Sequence, residues 1–248
     1  MKKFIIFLLL FSLAFSRTCV VYITGIGCPH CAKVDPIIFE GFEELNLTVI
    51  EYEIYKEKEN SEIVINYWRN YNIPAFYWGV PFLFFDEKNY IAGDEPIIQN
   101  LENYSKRFEG NECLLLNEKK KFEEIDFNSL PGKPKIFYNN RILVKGSSYL
   151  SNEIIKEALN EDISIFIEKY KNIIKENSEK CVEYSFGKKC FSKSFLINDW
   201  QLFFNIEEIK ESGEVKISEK NDYLLIIIVI LVVIFSILIY SRKRIKKK

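Results

Sequence analysis

Two cysteines spaced two residues apart, Cys28 and Cys31, are the residues of this chain whose types and spacing point most directly to chemistry. They enclose Pro29 and His30, and His30 is the single histidine of the sequence. A thiolate is both a nucleophile and a metal ligand, and a close pair of cysteines can form and exchange a disulfide. A zinc site needs four ligands, and a structural disulfide rarely closes so short a loop at a helix start. Redox activity is therefore favoured over metal binding, and we expect no metal site.

The elements that must position this pair are a strand and a helix. The segment CVVYITGIG, residues 19–27, is rich in β-branched residues and ends in glycines, which predicts a buried strand followed by a tight turn. After Cys28 the apolar residues recur at helical spacing: Val34, Ile37, Ile38, Phe42 and Leu45. Cys28 is thus expected at a helix N-terminus, where free backbone N–H groups and the helix dipole stabilise a thiolate. Cys31, one turn further, would attack a mixed disulfide formed at Cys28.

This arrangement of a strand, Cys-x-x-Cys at a helix start and a proline five residues later resembles the thioredoxin superfamily. The intervening Pro29 and His30 resemble the Cys-Pro-His-Cys motif of DsbA-type thiol oxidases. The resemblance implies that Cys28 is the nucleophile and Cys31 the resolving cysteine. It also implies that Pro29 and His30 tune the redox potential, with His30 favouring the thiolate form of the exposed cysteine. No cofactor is expected, because the electrons reside in the cysteine pair.

The resemblance also requires a cis-proline that faces the cysteines and binds substrate. Val80 and Pro81 supply it at the start of GVPFLFFDEKNYIAG, residues 79–93, which predicts a hairpin. Ile73-Pro74 is the competing candidate, but no equally good hairpin follows it, and a trans turn proline is the remaining alternative at Pro81.

The predicted elements between residues 19 and 110 follow the order β-α-β-α-β-β-α. The middle ones are a strand around 48–55 and a helix around 59–71, and a helix near 95–108 closes the series. Tyr22 stands where thioredoxins carry a buried acid that deprotonates the second cysteine in reductants. The absence of an acid at this position slightly favours a role as an oxidase over a role as a reductase. Glu51 or Glu53 on the neighbouring strand could substitute for the missing acid.

The expected fold class is α/β: a thioredoxin-like domain with a mixed central sheet over residues 17–110, followed by an α+β region over 111–205. Within this second region, residues 132–146 repeat the pattern of the 79–93 hairpin and precede another helical stretch. The repeat predicts either a second, degenerate thioredoxin-like unit or an unrelated hairpin and helix. Helical periodicity continues to about Glu176.

The other four cysteines are expected to form structural disulfides. Cys181 and Cys190 enclose a short polar loop, so we expect them to be bonded to each other. Cys19 and Cys113 flank the predicted domain and could join its ends, although four cysteines allow three connectivities.

Both ends of the chain are expected to direct it to a membrane. Residues 1–16 combine two lysines, a twelve-residue apolar run and small residues near a cleavage site, as in a signal peptide. An uncleaved anchor is the alternative, but twelve residues cover only about 18 Å as a helix. Residues 223–240 carry no charge over eighteen residues and predict one C-terminal transmembrane helix. A linker, 206–222, precedes this helix and a basic tail, 241–248, follows it.

This layout predicts a single-pass membrane protein whose N-terminal domain lies outside the cytoplasm, in the exterior or a lumen, and whose tail is cytoplasmic. The chain has 34 basic and 35 acidic residues. Eight of the basic residues lie in the signal and the tail, so the exported part is acidic and is not expected to bind nucleic acid.

These features predict a membrane-anchored, extracytoplasmic thiol–disulfide oxidoreductase, a disulfide donor to exported proteins. The predicted partners are exported proteins with thiols or disulfides, the membrane through the C-terminal helix, and a membrane redox protein that recharges the pair. The alternatives are a reductase or isomerase, such as one serving cytochrome maturation, a copper carrier using Cys28, Cys31 and His30, and a non-catalytic surface binding module.

Overall fold

The structure, a computed structural model, describes residues 16–205 and begins with alternating strands and helices. In chain order these elements are β1 (Thr18–Thr24), α1 (Cys31–Gly41), β2 (Leu47–Glu53), α2 (Lys58–Asn70), β3 (Phe82–Phe84), β4 (Tyr90–Ala92) and α3 (Asp94–Arg107). Their order is the one that the sequence predicts between residues 19 and 110. The strands β1 and β2 are buried along their whole length, in keeping with their β-branched and aromatic sequences.

The second half of the described chain contains more strands than the sequence predicts. Its elements are β5 (Cys113–Leu114), β6 (Lys119–Lys120), β7 (Lys135–Tyr138), β8 (Arg141–Val144), α4 (Asn152–Asn160), α5 (Ile163–Tyr170), β9 (Ile174–Glu176), β10 (Cys181–Tyr184), β11 (Gly187–Cys190), β12 (Lys193–Ile197) and β13 (Trp200–Phe204). The hairpin predicted at 132–146 and the helix after it are present as β7, β8 and α4. The predicted continuation of helix to Glu176 is wrong, because α5 ends at Tyr170 and a strand follows.

One nine-stranded sheet runs through both halves, in the order β4-β3-β1-β2-β7-β8-β13-β12-β9. Strands β1 and β2 are parallel, whereas β2 and β7 are antiparallel, with Glu51 opposite Lys135. The expected fold class, a thioredoxin-like domain followed by a separate α+β region, is therefore wrong. The second half extends the same sheet, and its strand β7 covers the edge that β2 would otherwise leave open. The fold is mixed α/β with one large mixed sheet, and residues 16–205 belong to one compact unit.

The expected fold class also included a membrane-spanning helix. Among residues 16–205, none of the helices has the length and apolar character needed to cross a membrane, so such a helix is not part of the fold that the structure describes. The predicted linker at 206–222, helix at 223–240 and tail at 241–248 lie outside the described residues. So does the predicted signal peptide, apart from residue 16.

The sheet separates two hydrophobic layers. Alternate residues of β1 point into opposite layers, Val21 and Ile23 into one and Val20 and Tyr22 into the other. Residues of α2, α4 and α5 pack in the first layer, and residues of α1 and α3 pack in the second. The loop that carries Cys28 leaves β1 at its carboxyl end and leads into α1.

Candidate active site

Cys28 and Cys31 lie together between β1 and the first turn of α1, and they are the two free cysteines of residues 16–205. The Ala32 N–H donates to the Cys28 carbonyl at 3.0 Å, so helical hydrogen bonding begins at Cys28. The Cys31 N–H donates to Cys28 Sγ at 3.2 Å. The predicted position of Cys28 at a helix N-terminus is confirmed, and a backbone donor is in place for a thiolate there.

Cys28 is itself 4% exposed, so the exposed cysteine that the resemblance implies is not found, and the second thiol is buried more completely. Cys31 is fully buried, and burial raises the pKa of its thiol far above the usual range, with a further increase from the hydrogen bond to Cys28. The Thr24 hydroxyl and a backbone hydrogen bond from Gly25 act in the opposite direction. Cys31 is thus protonated at neutral pH and needs a route for its proton before it can act as a nucleophile.

Among residues 16–205, the one cis peptide bond joins Val80 and Pro81. The competing Ile73–Pro74 bond is not cis. The Val80 carbonyl oxygen lies 3.8 Å from Cys28 Sγ. Pro81 is buried and its carbonyl accepts the Gly93 N–H at 2.9 Å, which fixes this loop against the start of α3. The predicted proximity of Val80 and Pro81 to the cysteines is therefore found.

His30 lies on the surface beside the pair, with its side chain 64% exposed. Its Nδ1 is 3.2 Å from Asp94 Oδ2, and Lys33 Nζ is 2.6 Å from the same oxygen. Lys33 and, less strongly, His30 hold the pKa of the Asp94 carboxyl well below its usual range. The ring is thus oriented by the first residue of α3, while its neighbour Pro29 is exposed.

A buried acid that sequence reasoning missed lies next to Cys31. Asp35 is fully buried, one helical turn after Cys31 on α1. Its Oδ1 accepts from the Tyr22 hydroxyl and from Thr24 Oγ1, the latter at 2.8 Å, and its Oδ2 accepts the Ser185 N–H at 2.8 Å. Burial, followed by the charge of Asp35, raises the pKa of Tyr22 well above its usual value, so Tyr22 stays a donor.

The two acids proposed as substitutes have other partners. Glu51 is paired with Lys135, Nζ to Oε1 at 2.9 Å. Glu53 accepts backbone N–H groups of Ile26 and of the turn after β2. Asp35, through Thr24, is instead the acid connected to Cys31. The signal in the sequence is an acid four residues after Cys31, on the helix face that carries Val34 and Ile38.

Exposed aromatic residues lie on three segments that lead to the residues of the site. The ring of Tyr55 lies against Gly25, where an added Cβ would stand 2.8 Å from ring carbons, so a larger residue here would displace the ring. Tyr55, Phe76, Tyr77 and Phe186 are exposed at 53, 79, 42 and 71%. Phe76 and Tyr77 belong to the segment that leads into Val80, and Phe186 follows Ser185.

Both predicted disulfides are present, Cys19–Cys113 between β1 and β5 and Cys181–Cys190 across the β10–β11 hairpin. Over residues 16–205, no group of three or more histidine, cysteine or acidic side chains is arranged to hold a metal ion. No known protein family, curated protein or solved structure matches the chain.

Proposed function

We propose that this protein is a thiol–disulfide oxidoreductase that donates disulfides to exported proteins through Cys28 and Cys31. The observation that carries the proposal is the state of the six cysteines. Cys28 and Cys31 are free and adjacent at a helix start, whereas the other four form two disulfides. Structural disulfides persist in oxidising compartments, which is consistent with substrates outside the cytoplasm.

In the donor reaction, a substrate thiolate attacks Sγ of Cys28 in the oxidised Cys28–Cys31 disulfide. The bond between the two enzyme sulfurs breaks, a mixed disulfide forms at Cys28, and Cys31 leaves and takes up a proton. A second substrate thiolate then attacks the substrate sulfur of the mixed disulfide and releases the Cys28 thiolate. The substrate gains a disulfide, and the enzyme pair gains two electrons.

The geometry around Cys28 favours the donor reaction, in which Cys28 is released as a thiolate. The departing Cys28 thiolate receives the Cys31 N–H at 3.2 Å at a helix N-terminus. Cys31, buried and with a raised pKa, is stable as a thiol. Because a dithiol whose reduced form is stabilised is a strong oxidant, both features favour disulfide donation. Recharging requires an oxidant of higher potential, and we propose a membrane redox protein in that role.

The substrate would approach as an extended segment. The Val80 carbonyl beside Cys28 offers a backbone hydrogen bond to a strand-like peptide, as in β-strand addition. The exposed rings of Tyr55, Phe76, Tyr77 and Phe186 would contact apolar side chains on either side of the substrate cysteine.

A reductase or isomerase is the second candidate, and Asp35 is the observation that favours it. A reductant needs Cys31 as a thiolate to break the mixed disulfide. The hydroxyl of Thr24 can take the Cys31 proton and pass its own to Asp35, to which it is already bonded at 2.8 Å. The carboxylate would thus act as the base for Cys31.

The reduction potential of the Cys28–Cys31 pair decides between the two candidates. It is measured on the full chain by equilibration with glutathione redox buffers. A value near the roughly −120 mV of strong oxidants supports disulfide donation, and one near the roughly −270 mV of thioredoxin-type reductants supports the second candidate.

A trapping experiment tests the exchange chemistry itself. In Cys31→Ser the resolving thiol is missing, so disulfide-linked complexes between Cys28 and exported proteins should accumulate on non-reducing gels and disappear on reduction. The double variant with Cys28→Ser is the matched control and should give none. Equal amounts of complex in both variants would show that Cys28 is not the nucleophile.

A further inference from the structure

A hairpin from the second half of the chain reaches the candidate site. Strands β10 and β11 pair from Cys181 opposite Cys190 to Tyr184 opposite Gly187, and the disulfide closes the hairpin at its open end. Its body packs on α1, with the Tyr184 ring 5.1 Å from that of Phe39. The two-residue tip, Ser185 and Phe186, is thereby carried to the cysteine loop.

Ser185 is 2% exposed and makes two hydrogen bonds across this contact. Its N–H donates to Asp35 Oδ2 at 2.8 Å, and its hydroxyl donates to the Gly25 carbonyl at 2.7 Å. The same Gly25 carbonyl accepts the Cys28 N–H at 2.9 Å. One residue of the hairpin therefore joins the buried acid beside Cys31 to the backbone that supports Cys28.

Few donors reach the Asp35 carboxyl group. Its side chain is fully buried, so water cannot replace a missing hydrogen bond. The Tyr22 and Thr24 hydroxyls bond to one carboxylate oxygen, while the Ser185 N–H is the partner found for the other. Removing that N–H would leave a buried carboxyl oxygen without a hydrogen-bond donor.

We propose that Ser185, at the tip of the disulfide-closed hairpin, is a positioning residue of the dithiol site. It holds the Asp35 carboxyl group and the Gly25 carbonyl in place, and it thereby affects the equilibrium between the oxidised and reduced cysteine pair. The effect of Ser185 on the equilibrium of the cysteine pair rests on the proposed redox function. The effect of Ser185 on Asp35 stands independently of that function. The disulfide contributes by limiting the freedom of the hairpin, so that the tip is ordered before it docks.

The geometry of the tip permits a selective variant. Phe186 has φ of +60°, whereas Ser185 is not among the residues with positive φ. In a type II turn, which has this pattern, proline is common at the first central position. Ser185→Pro is thus expected to keep the turn while it removes both donors, and Ser185→Ala removes the hydroxyl alone.

The test uses the full chain with the Cys28–Cys31 pair reduced, and it measures the carboxyl carbon resonance of Asp35 by NMR at pH 7. In Ser185→Pro this resonance should move, because one carboxyl oxygen has lost its hydrogen-bond donor. In Ser185→Ala it should stay at the wild-type position. Glu183→Gln is the matched control, since it breaks the exposed ion pair of the same hairpin with Lys56 and touches neither Asp35 nor Gly25.

The second readout is the equilibrium of the pair with glutathione. Because both Ser185 variants lose the bond to the Gly25 carbonyl, which also supports Cys28, the equilibrium constant should change about threefold to tenfold in each, with no change in Glu183→Gln. An Asp35 resonance in Ser185→Pro that matches the wild type, or an equal change of that resonance in Glu183→Gln, would overturn the proposal. An unchanged glutathione equilibrium in Ser185→Ala would also overturn it, and this second result is sufficient if the proline variant does not fold. A wild-type pair that fails to exchange with glutathione would instead contradict the proposed function, while the Asp35 resonance still tests the contact with Ser185.

Discussion

Thr24 donates its hydroxyl hydrogen bond to Asp35 at 2.8 Å, within the interior that also contains the Cys31 thiol. A hydroxyl has a single proton, so Thr24 cannot donate to the carboxylate and to a Cys31 thiolate at once. In the second candidate function, Thr24 would take the Cys31 proton and pass its own to Asp35, a route that does not require water.

The first prediction concerns Asp35. Asp35→Asn removes the proton acceptor but keeps the size of the side chain, so the step in which Cys31 resolves a mixed disulfide should slow by on the order of tenfold or more at pH 7. Stopped-flow measurement of mixed-disulfide decay checks this. Glu40→Gln, an exposed acid on the same helix, is the control and should leave the rate unchanged. An equal rate in Asp35→Asn and the wild type would remove Asp35 from the mechanism.

The second prediction concerns His30. The resemblance to DsbA-type oxidases assigns His30 the tuning of the pair, so in the proposed function His30→Ser should shift the reduction potential to more negative values by about 30 to 60 mV, a factor of ten to a hundred in the equilibrium constant. Equilibration with glutathione buffers measures the shift. Lys33→Gln is the control, since Lys33 contacts the same Asp94 oxygen as His30. A similar shift in both variants would assign the effect to general positive charge rather than to the imidazole.

Local sequence patterns predicted much of the site and part of the fold. The Cys28–Cys31 pair at a helix start follows from spacing and helical periodicity, and the Cys181–Cys190 disulfide follows from the short loop between its cysteines. The Cys19–Cys113 disulfide was one of three connectivities that the sequence left open. The proximity of Pro81 to the cysteines and the cis state of the Val80–Pro81 bond were accessible only through the resemblance to a known family.

Long-range relations were not predicted. The pairing of β2 with β7 joins residues more than eighty positions apart, and the alternation within each strand does not specify its neighbour. Asp35 was overlooked because a single acid on an apolar helix face resembles a solvated position until its partners are known. Ser185 lies in a segment that the sequence marks only as a short polar loop between cysteines.

The third prediction concerns the Cys19–Cys113 disulfide, whose cysteines are both buried and are separated by 94 residues. Closing so long a loop restricts the unfolded chain strongly, so replacing both cysteines by alanine should lower the free energy of unfolding by about 2 to 5 kcal/mol. Urea denaturation of the full chain checks this. Alanine at both Cys181 and Cys190, separated by nine residues, should cost less because the loop is shorter. A larger loss from the shorter loop would show that loop entropy does not dominate.

The last prediction concerns the pH dependence of stability at Glu51. Burial raises the pKa of this carboxyl from 4.5 to about 7, and the pairing with Lys135 opposes the shift only in part. Because the folded state then binds this proton more tightly than the unfolded chain does, the free energy of unfolding should fall as the pH rises from about 4.5 to about 7 and level off above. The decrease should reach about 3 kcal/mol at most, at 1.36 kcal/mol per pKa unit.

Urea unfolding of the full chain at pH 5 and pH 8 measures this difference. In Glu51→Gln the side chain cannot ionise, so the loss of stability between the two pH values should shrink even though Lys135 has lost its carboxylate partner. Glu102→Gln, which breaks an exposed ion pair with Lys106, is the control and should keep the wild-type dependence. A Glu51→Gln variant with the full wild-type difference would place the titrating group elsewhere, and the interior charge pair that joins β2 to β7 would then be ionised at both pH values.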